Sequence, residues 1–125
     1  MGPAGAGQLT KAVNQICIAG TLQGLSEGLS FGMKAGLDME QVLAVIGKGA
    51  AQSWQMDNRG PTMVKDSFDF GFAVNWMVKD LQIALEEGEV NGARLEMTEK
   101  ILEYYRDLQK NGCGRMDTSS LIKRL

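Results

Sequence analysis

Between Thr10 and Ala35 the apolar residues Val13, Ile16, Ala19, Leu22, Leu25, Leu29 and Phe31 recur at three- and four-residue steps, the period of an amphipathic helix. No stretch alternates apolar and polar residues as a half-buried strand does, so a core must form from helix against helix. The expected class is all-α, a multi-helix domain built around this one long N-terminal helix. Gly20, Gly24, Gly28 and Gly32 fall four apart on one face of it, and each costs about 1 kcal/mol relative to Ala in a helix interior. The simplest compensation is a second helix packed very closely on the glycine row. Gln23, Ser26, Glu27 and Lys34 interrupt the segment, which removes a membrane reading of the glycine spacing. Gly36 is the expected stop.

The rest of the chain reads as shorter helices. Asp38-Met39-Glu40-Gln41 has the form of a capping box, with Val42, Leu43, Val45 and Ile46 as the buried face of a helix ending near Gly47 or Gly49. Ser53-Trp54-Gln55-Met56 suggests one short turn, and Asp57-Asn58-Arg59-Gly60-Pro61 is expected to break regular structure. Met63 to Phe72 reads as irregular or a single turn, with three Phe residues that need burial. Helical spacing returns from Val74 to Glu89 and from Leu95 to Lys110, and Asp117-Thr118-Ser119-Ser120 can cap a last helix. Tyr104 and Tyr105 are expected to divide between surface and core, and the eight methionines, with Trp54 and Trp76, to fill the interior.

Composition narrows the function classes. The 125 residues suit one domain, and a formal charge of -2 with scattered Lys and Arg offers no footprint for a nucleic-acid backbone. Histidine is absent and Cys17 lies far from Cys113, so neither zinc-site spacing nor Ser-His or Cys-His catalysis can be assembled. Two isolated cysteines fit a reducing cytoplasm, and no apolar run approaches the roughly 18 residues of a spanning helix. Cys113, in the flexible-looking Asn111-Gly112-Cys113-Gly114, has nothing nearby to activate it. The opening Gly2-Pro3-Ala4-Gly5-Ala6-Gly7 reads as a linker turning into a helix, so the chain is expected to be the downstream piece of a longer protein.

Those opening glycines form no phosphate loop, because Lys11 follows Thr10 and lacks the Gly-Lys-Ser/Thr sequence. They form no dinucleotide fingerprint either, since the third glycine and the preceding strand are missing. What remains is spacing: Lys11, Asn14 and Gln15 stand at i, i+3 and i+4 and share one patch of the first turns. A lysine there can give a proton to a carbonyl oxygen or take one from a hydroxyl, with amides orienting the substrate. The same three residues also suit a plain solvated helix face. Lys79-Asp80, set among Phe72, Val74, Trp76, Met77 and Leu81, is either a charge pair at a domain surface or an exposed helical pair.

Three ordered motifs carry a family resemblance that covers essentially the whole chain. They are Gly2-Pro3-x-Gly5-x-Gly7-x-x-x-Lys11-x-x-Asn14-Gln15, Lys79-Asp80-Leu81 with Ala84 one turn on, and Gly112-x-Gly114-x-x-Asp117-x-Ser119. Together they resemble the C-terminal domain of the β-hydroxyacid dehydrogenases, a group that includes 3-hydroxyisobutyrate dehydrogenase and tartronate semialdehyde reductase. The resemblance implies a helical domain like the C-terminal domain of 6-phosphogluconate dehydrogenase, preceded by a Rossmann domain that holds most of the NAD or NADP. It implies Lys11 as general acid/base, Asn14, Gln15, Phe72 and Asp80 as substrate-binding residues, and Lys79 near the cofactor. A small hydroxyacid or semialdehyde is the implied substrate and a homo-oligomer the implied assembly, with the glycine-marked helix near its seam. Without the Rossmann domain the isolated 125 residues are expected to be inactive. A free-standing, non-catalytic helical interaction module of the same fold is the alternative.

Overall fold

A computed structural model describes residues 5–125; the glycine and proline at the start of the first motif, Gly2 and Pro3, lie outside the described residues. Helix α1 spans Ala6–Lys34, α2 Met39–Ile46, α3 Trp54–Val64, α4 Val74–Asn91 and α5 Glu96–Lys110, and a 3-10 helix covers Thr118–Arg124. Among the described residues the sole β feature is an isolated antiparallel bridge between Ala73 and Asp117.

Helix α1 is the axis of the domain and touches every other element. Its buried face carries Gln15, Ala19, Leu22, Leu25 and Leu29, packed with Met77 and Leu81 of α4 and Ile101 and Tyr105 of α5 into one core. The helix ends in a Schellman arrangement: Gly36 is left-handed at φ 79, its N–H donates to Met33, and that of Leu37 donates to Gly32 at 3.1 Å. Asp38 then caps α2 by accepting from the N–H groups of Glu40 and Gln41, as its place in the sequence predicts.

The glycine row behaves differently from the expectation. A Cβ at Gly20 would strike the side chain of Met97, and one at Gly32 that of Met39, but at Gly24 and Gly28 it would meet nothing within 4 Å. The row is therefore held at its ends by flexible methionine tips and left open in the middle. There it lines a groove of about 380 Å³ with Leu25, Leu29, Val42 and Ile46.

A second correction concerns residues 57–61, which lie inside α3. Ser53 accepts from the Met56 N–H at 3.0 Å and so starts the helix, and Met56, Gly60 and Met63 point inward at helical spacing. Gly60 sits where a Cβ would come 3.0 Å from Leu43 Cδ2, so the glycine that reads as a breaker serves contact with α2. Pro61 omits one helical hydrogen bond close to the C-terminal end, and the helix continues to Val64. Of the three phenylalanines that follow, only Phe68 is buried; Phe70 and Phe72 stay more than a third exposed. Cys113 is buried, because its N–H returns to Leu108 O and caps the end of α5.

The chain after α5 closes the fold. The N–H groups of Asp117 and Thr118 donate to Phe68 O and Phe72 O, and those of Val74 and Asn75 donate to Met116 O and Gly114 O. The C-terminal motif thus stitches the segment before α4 onto the 3-10 helix. Asp117 caps that helix through the Ser119 N–H.

Candidate active site

The first turns of α1 and the middle of α4 bring the sequence-expected polar residues together. Gln15 is 5% exposed, and its amide donates to Asp80 Oδ2 at 2.9 Å. Asn14 donates to Gln15 Oε1, also at 2.9 Å. Lys11 Nζ lies 3.8 Å from Asp80 Oδ1. Three residues of α1 and Asp80, 65 to 69 positions further along the sequence, thus form one relay, with the carboxylate of Asp80 gripped by an amide on one oxygen and facing an ammonium on the other.

The local reasons are geometric. Val78 and Leu81 are buried and flank Asp80 on α4, so the carboxylate sits at the edge of the α1–α4 contact with a side chain 15% exposed. An amide partner satisfies it there at less desolvation than a second charge entails. Lys11, one helical turn nearer the start of α1, has a side chain 61% exposed. It is anchored by attraction and remains free to reach a molecule outside.

Phe72 reaches the same neighbourhood from the other side. It lines a cleft of about 250 Å³ together with Gln15, Trp54, Arg59, Met77 and Asp117. Lys79, although adjacent to Asp80 in sequence, turns away and lies over the ring of Trp76, with Nζ 5.8 Å from the centroid. The relay therefore gathers Lys11, Asn14, Gln15 and Asp80, places Phe72 along the cleft that Gln15 shares, and leaves Lys79 on an adjacent exposed face.

The cleft floor holds an ion pair that sequence reasoning did not find. Arg59 Nε donates to Asp117 Oδ2 at 3.0 Å, and Asp117 is 1% exposed. Its carboxylate also accepts from the N–H of Phe72 at 2.9 Å and from the N–H and hydroxyl of Ser119. The Arg59 guanidinium lies 5.2 Å from the centroid of Trp54 and 5.1 Å from that of Phe70. Asp117 was visible in the third motif only as a helix cap, and Arg59 was hidden by a neighbouring Gly-Pro that reads as a break. Nearby, burial pushes the Tyr105 hydroxyl well above its usual range, and the negative charge of Asp117 adds to the effect. That hydroxyl donates to Thr118 O at 3.1 Å.

Comparison with known proteins gives the arrangement a context. The family described as the NAD-binding region of NADP-dependent 3-hydroxyisobutyrate dehydrogenase matches residues 5–125. The chain belongs to that family. An uncharacterized oxidoreductase of Shewanella frigidimarina is 57% identical over 125 residues, which are all of this chain and 43% of that protein. The probable 3-hydroxyisobutyrate dehydrogenase-like 1 of Arabidopsis thaliana, described as mitochondrial, is 42% identical over all of this chain and 37% of its own length. The structure of Mycobacterium tuberculosis 3-hydroxyisobutyrate dehydrogenase with L-serine superimposes with a TM-score of 0.85 at 25% identity, over 98% of this chain and 44% of that one. The chain thus spans less than half the length of the relatives it matches. The all-α class and the family resemblance read from the sequence are those of this fold.

The described residues do not supply the whole cradle of a nicotinamide dinucleotide. They contain no strand leading to a glycine turn, which is the usual phosphate seat. They do offer a helix start at Gly5 with no side-chain cap, and the exposed cations Lys11 and Lys79. No helix among the described residues is long and apolar enough to cross a membrane.

Proposed function

We propose that the chain is the substrate-side, helical half of an NAD(P)-dependent β-hydroxyacid dehydrogenase, acting on a small β-hydroxyacid or the matching semialdehyde. The observation that carries this reading is the convergence of Lys11 and Gln15 on Asp80, beside a cleft large enough for a small organic acid. Lys11 gives a proton to the carbonyl oxygen as the aldehyde is reduced and takes it from the hydroxyl in the reverse direction. Asp80 faces the ammonium and ties it to Gln15, which lines the cleft. Gln15 fixes Asp80, and Asn14, exposed beside Gln15, offers its amide to the substrate. Phe72 supplies an apolar wall.

When bound, the nicotinamide supplies the hydride acceptor or donor; Lys79 is the residue of this chain assigned to its side. Most of the dinucleotide site is assigned to a preceding Rossmann domain, so this chain alone does not turn over. The open middle of the glycine row on α1, with Phe31 exposed beside it, supports a homo-oligomeric seam on that helix. The two free cysteines suit a reducing cytoplasm.

In a full-length enzyme, Lys11→Ala is expected to lower kcat about 100-fold or more while cofactor affinity, read by nicotinamide fluorescence titration, stays within about twofold. An unchanged kcat contradicts the assignment, as does NAD(P)-dependent oxidation by residues 1–125 alone.

A further inference from the structure

Arg59 is held more firmly than an ion pair with Asp117 requires. Its guanidinium lies over both the Trp54 and the Phe70 ring, and Nε is committed to Asp117. A long contact of 3.3 Å joins Nη1 to Asn58 O. Among the described residues Nη2 has no hydrogen-bond partner. Gly71, left-handed at φ 73, brings the backbone against this group, and a Cβ there would come 2.8 Å from Nη2 and collide with Asp117. A planar cation is thus held with Nη2 uncommitted, at the floor of the cleft that Gln15 also lines. Because Asp117 shares its charge with the Phe72 N–H and two groups of Ser119, it does not fully cancel the guanidinium.

We infer that Arg59 is a specificity-determining residue that binds a second carboxylate, carried on the substituent next to the reacting hydroxymethyl group. The inference rests on the proposed dehydrogenase reading, since Gln15 is the point where the cleft meets the Lys11 relay. A substrate whose hydroxymethyl group lies at Lys11 extends its C2 substituent past Gln15 and Phe72 toward Arg59. A methyl substituent leaves Nη2 to water, whereas a carboxymethyl group accepts a charge-assisted hydrogen bond from it.

The test uses a full-length enzyme with saturating NAD or NADP and two substrates that differ only at C2: 3-hydroxy-2-methylpropanoate and 2-(carboxymethyl)-3-hydroxypropanoate. The wild type is expected to favour the dicarboxylate in kcat/KM by about tenfold or more. Arg59→Met is expected to remove that preference mainly through a rise in KM for the dicarboxylate. Arg59→Lys keeps a cation for Asp117, so the fold is retained, but lacks the planar fork, so the ratio falls there too. A ratio equal in wild type and both variants, or a parallel loss for both substrates, shows a purely structural strut and overturns the inference alone. Failure of the wild type to oxidise either substrate with either cofactor overturns the dehydrogenase reading and this inference together.

Discussion

The two charge clusters beside the cleft are built on opposite plans. Lys11 and Asp80 meet at 3.8 Å with the lysine mostly in solvent, while Arg59 and Asp117 meet at 3.0 Å with the carboxylate almost wholly buried and three further hydrogen-bonding groups on it. The charge attraction of the first pair contributes little to stability, because the ammonium is mostly in solvent, and in the proposed mechanism its value is that the ammonium can move toward a substrate. The second cannot open without stranding a buried charge. In the proposed function the first is a proton-handling group and the second a fixed anchor, and Gln15 links them by donating to Asp80 and lining the cleft of Arg59.

The contrast can be broken most severely at Asp117. Asp117→Ala removes the cap of the 3-10 helix, the partner of Arg59 and the acceptor for the Phe72 N–H together, and is expected to destabilise the domain by about 3–5 kcal/mol; urea titration followed by circular dichroism measures it. At the other cluster Asp80→Ala is expected to cost about 1–2 kcal/mol in the same titration, mainly for the hydrogen bond that the buried Gln15 amide loses, while lowering kcat in a full-length enzyme. Similar stability losses at the two sites would erase the distinction.

The same contrast explains what could be read from the sequence. Lys11, Asn14 and Gln15 lie within two turns of one helix, so helical period alone puts them on one patch. Their meeting with Asp80 is a tertiary event across 65 residues, and the family resemblance, not periodicity, joined the two motifs. Arg59 was lost because Gly60-Pro61 reads as a breaker, although Met56, Gly60 and Met63 already stood at inward-facing helical positions. The glycines of α1 predicted a close partner correctly at Gly20 and Gly32 and wrongly at Gly24 and Gly28. Spacing identifies a face, and only packing says what covers it.

A smaller effect should appear at high pH. Tyr105 is buried with its ionisation raised above the ordinary 10.0, so in alkali the unfolded chain loses the tyrosine proton first. Stability is therefore unaffected by this group below about pH 10 and declines as pH rises beyond it. Tyr105→Phe is expected to remove that component of alkaline unfolding, at a loss of about 1 kcal/mol near neutrality for the missing hydrogen bond to Thr118. Thermal melts across the alkaline range, compared between the two proteins, check both parts. The least disturbance is expected from Lys79→Ala: Nζ only overlies Trp76 at an exposed site, so stability should change by less than about 1 kcal/mol, measured by the same melts.

The central claim is that the Lys11 amine itself carries the proton. In a full-length enzyme bearing Lys11→Ala, single-turnover reduction of a semialdehyde by NADH or NADPH should be about 100-fold slower than in the wild type. It should then accelerate as ethylamine is added, reaching saturation without any change in cofactor affinity. A variant that keeps the wild-type rate, or one whose slow rate ignores the added amine, would show that the proton comes from elsewhere.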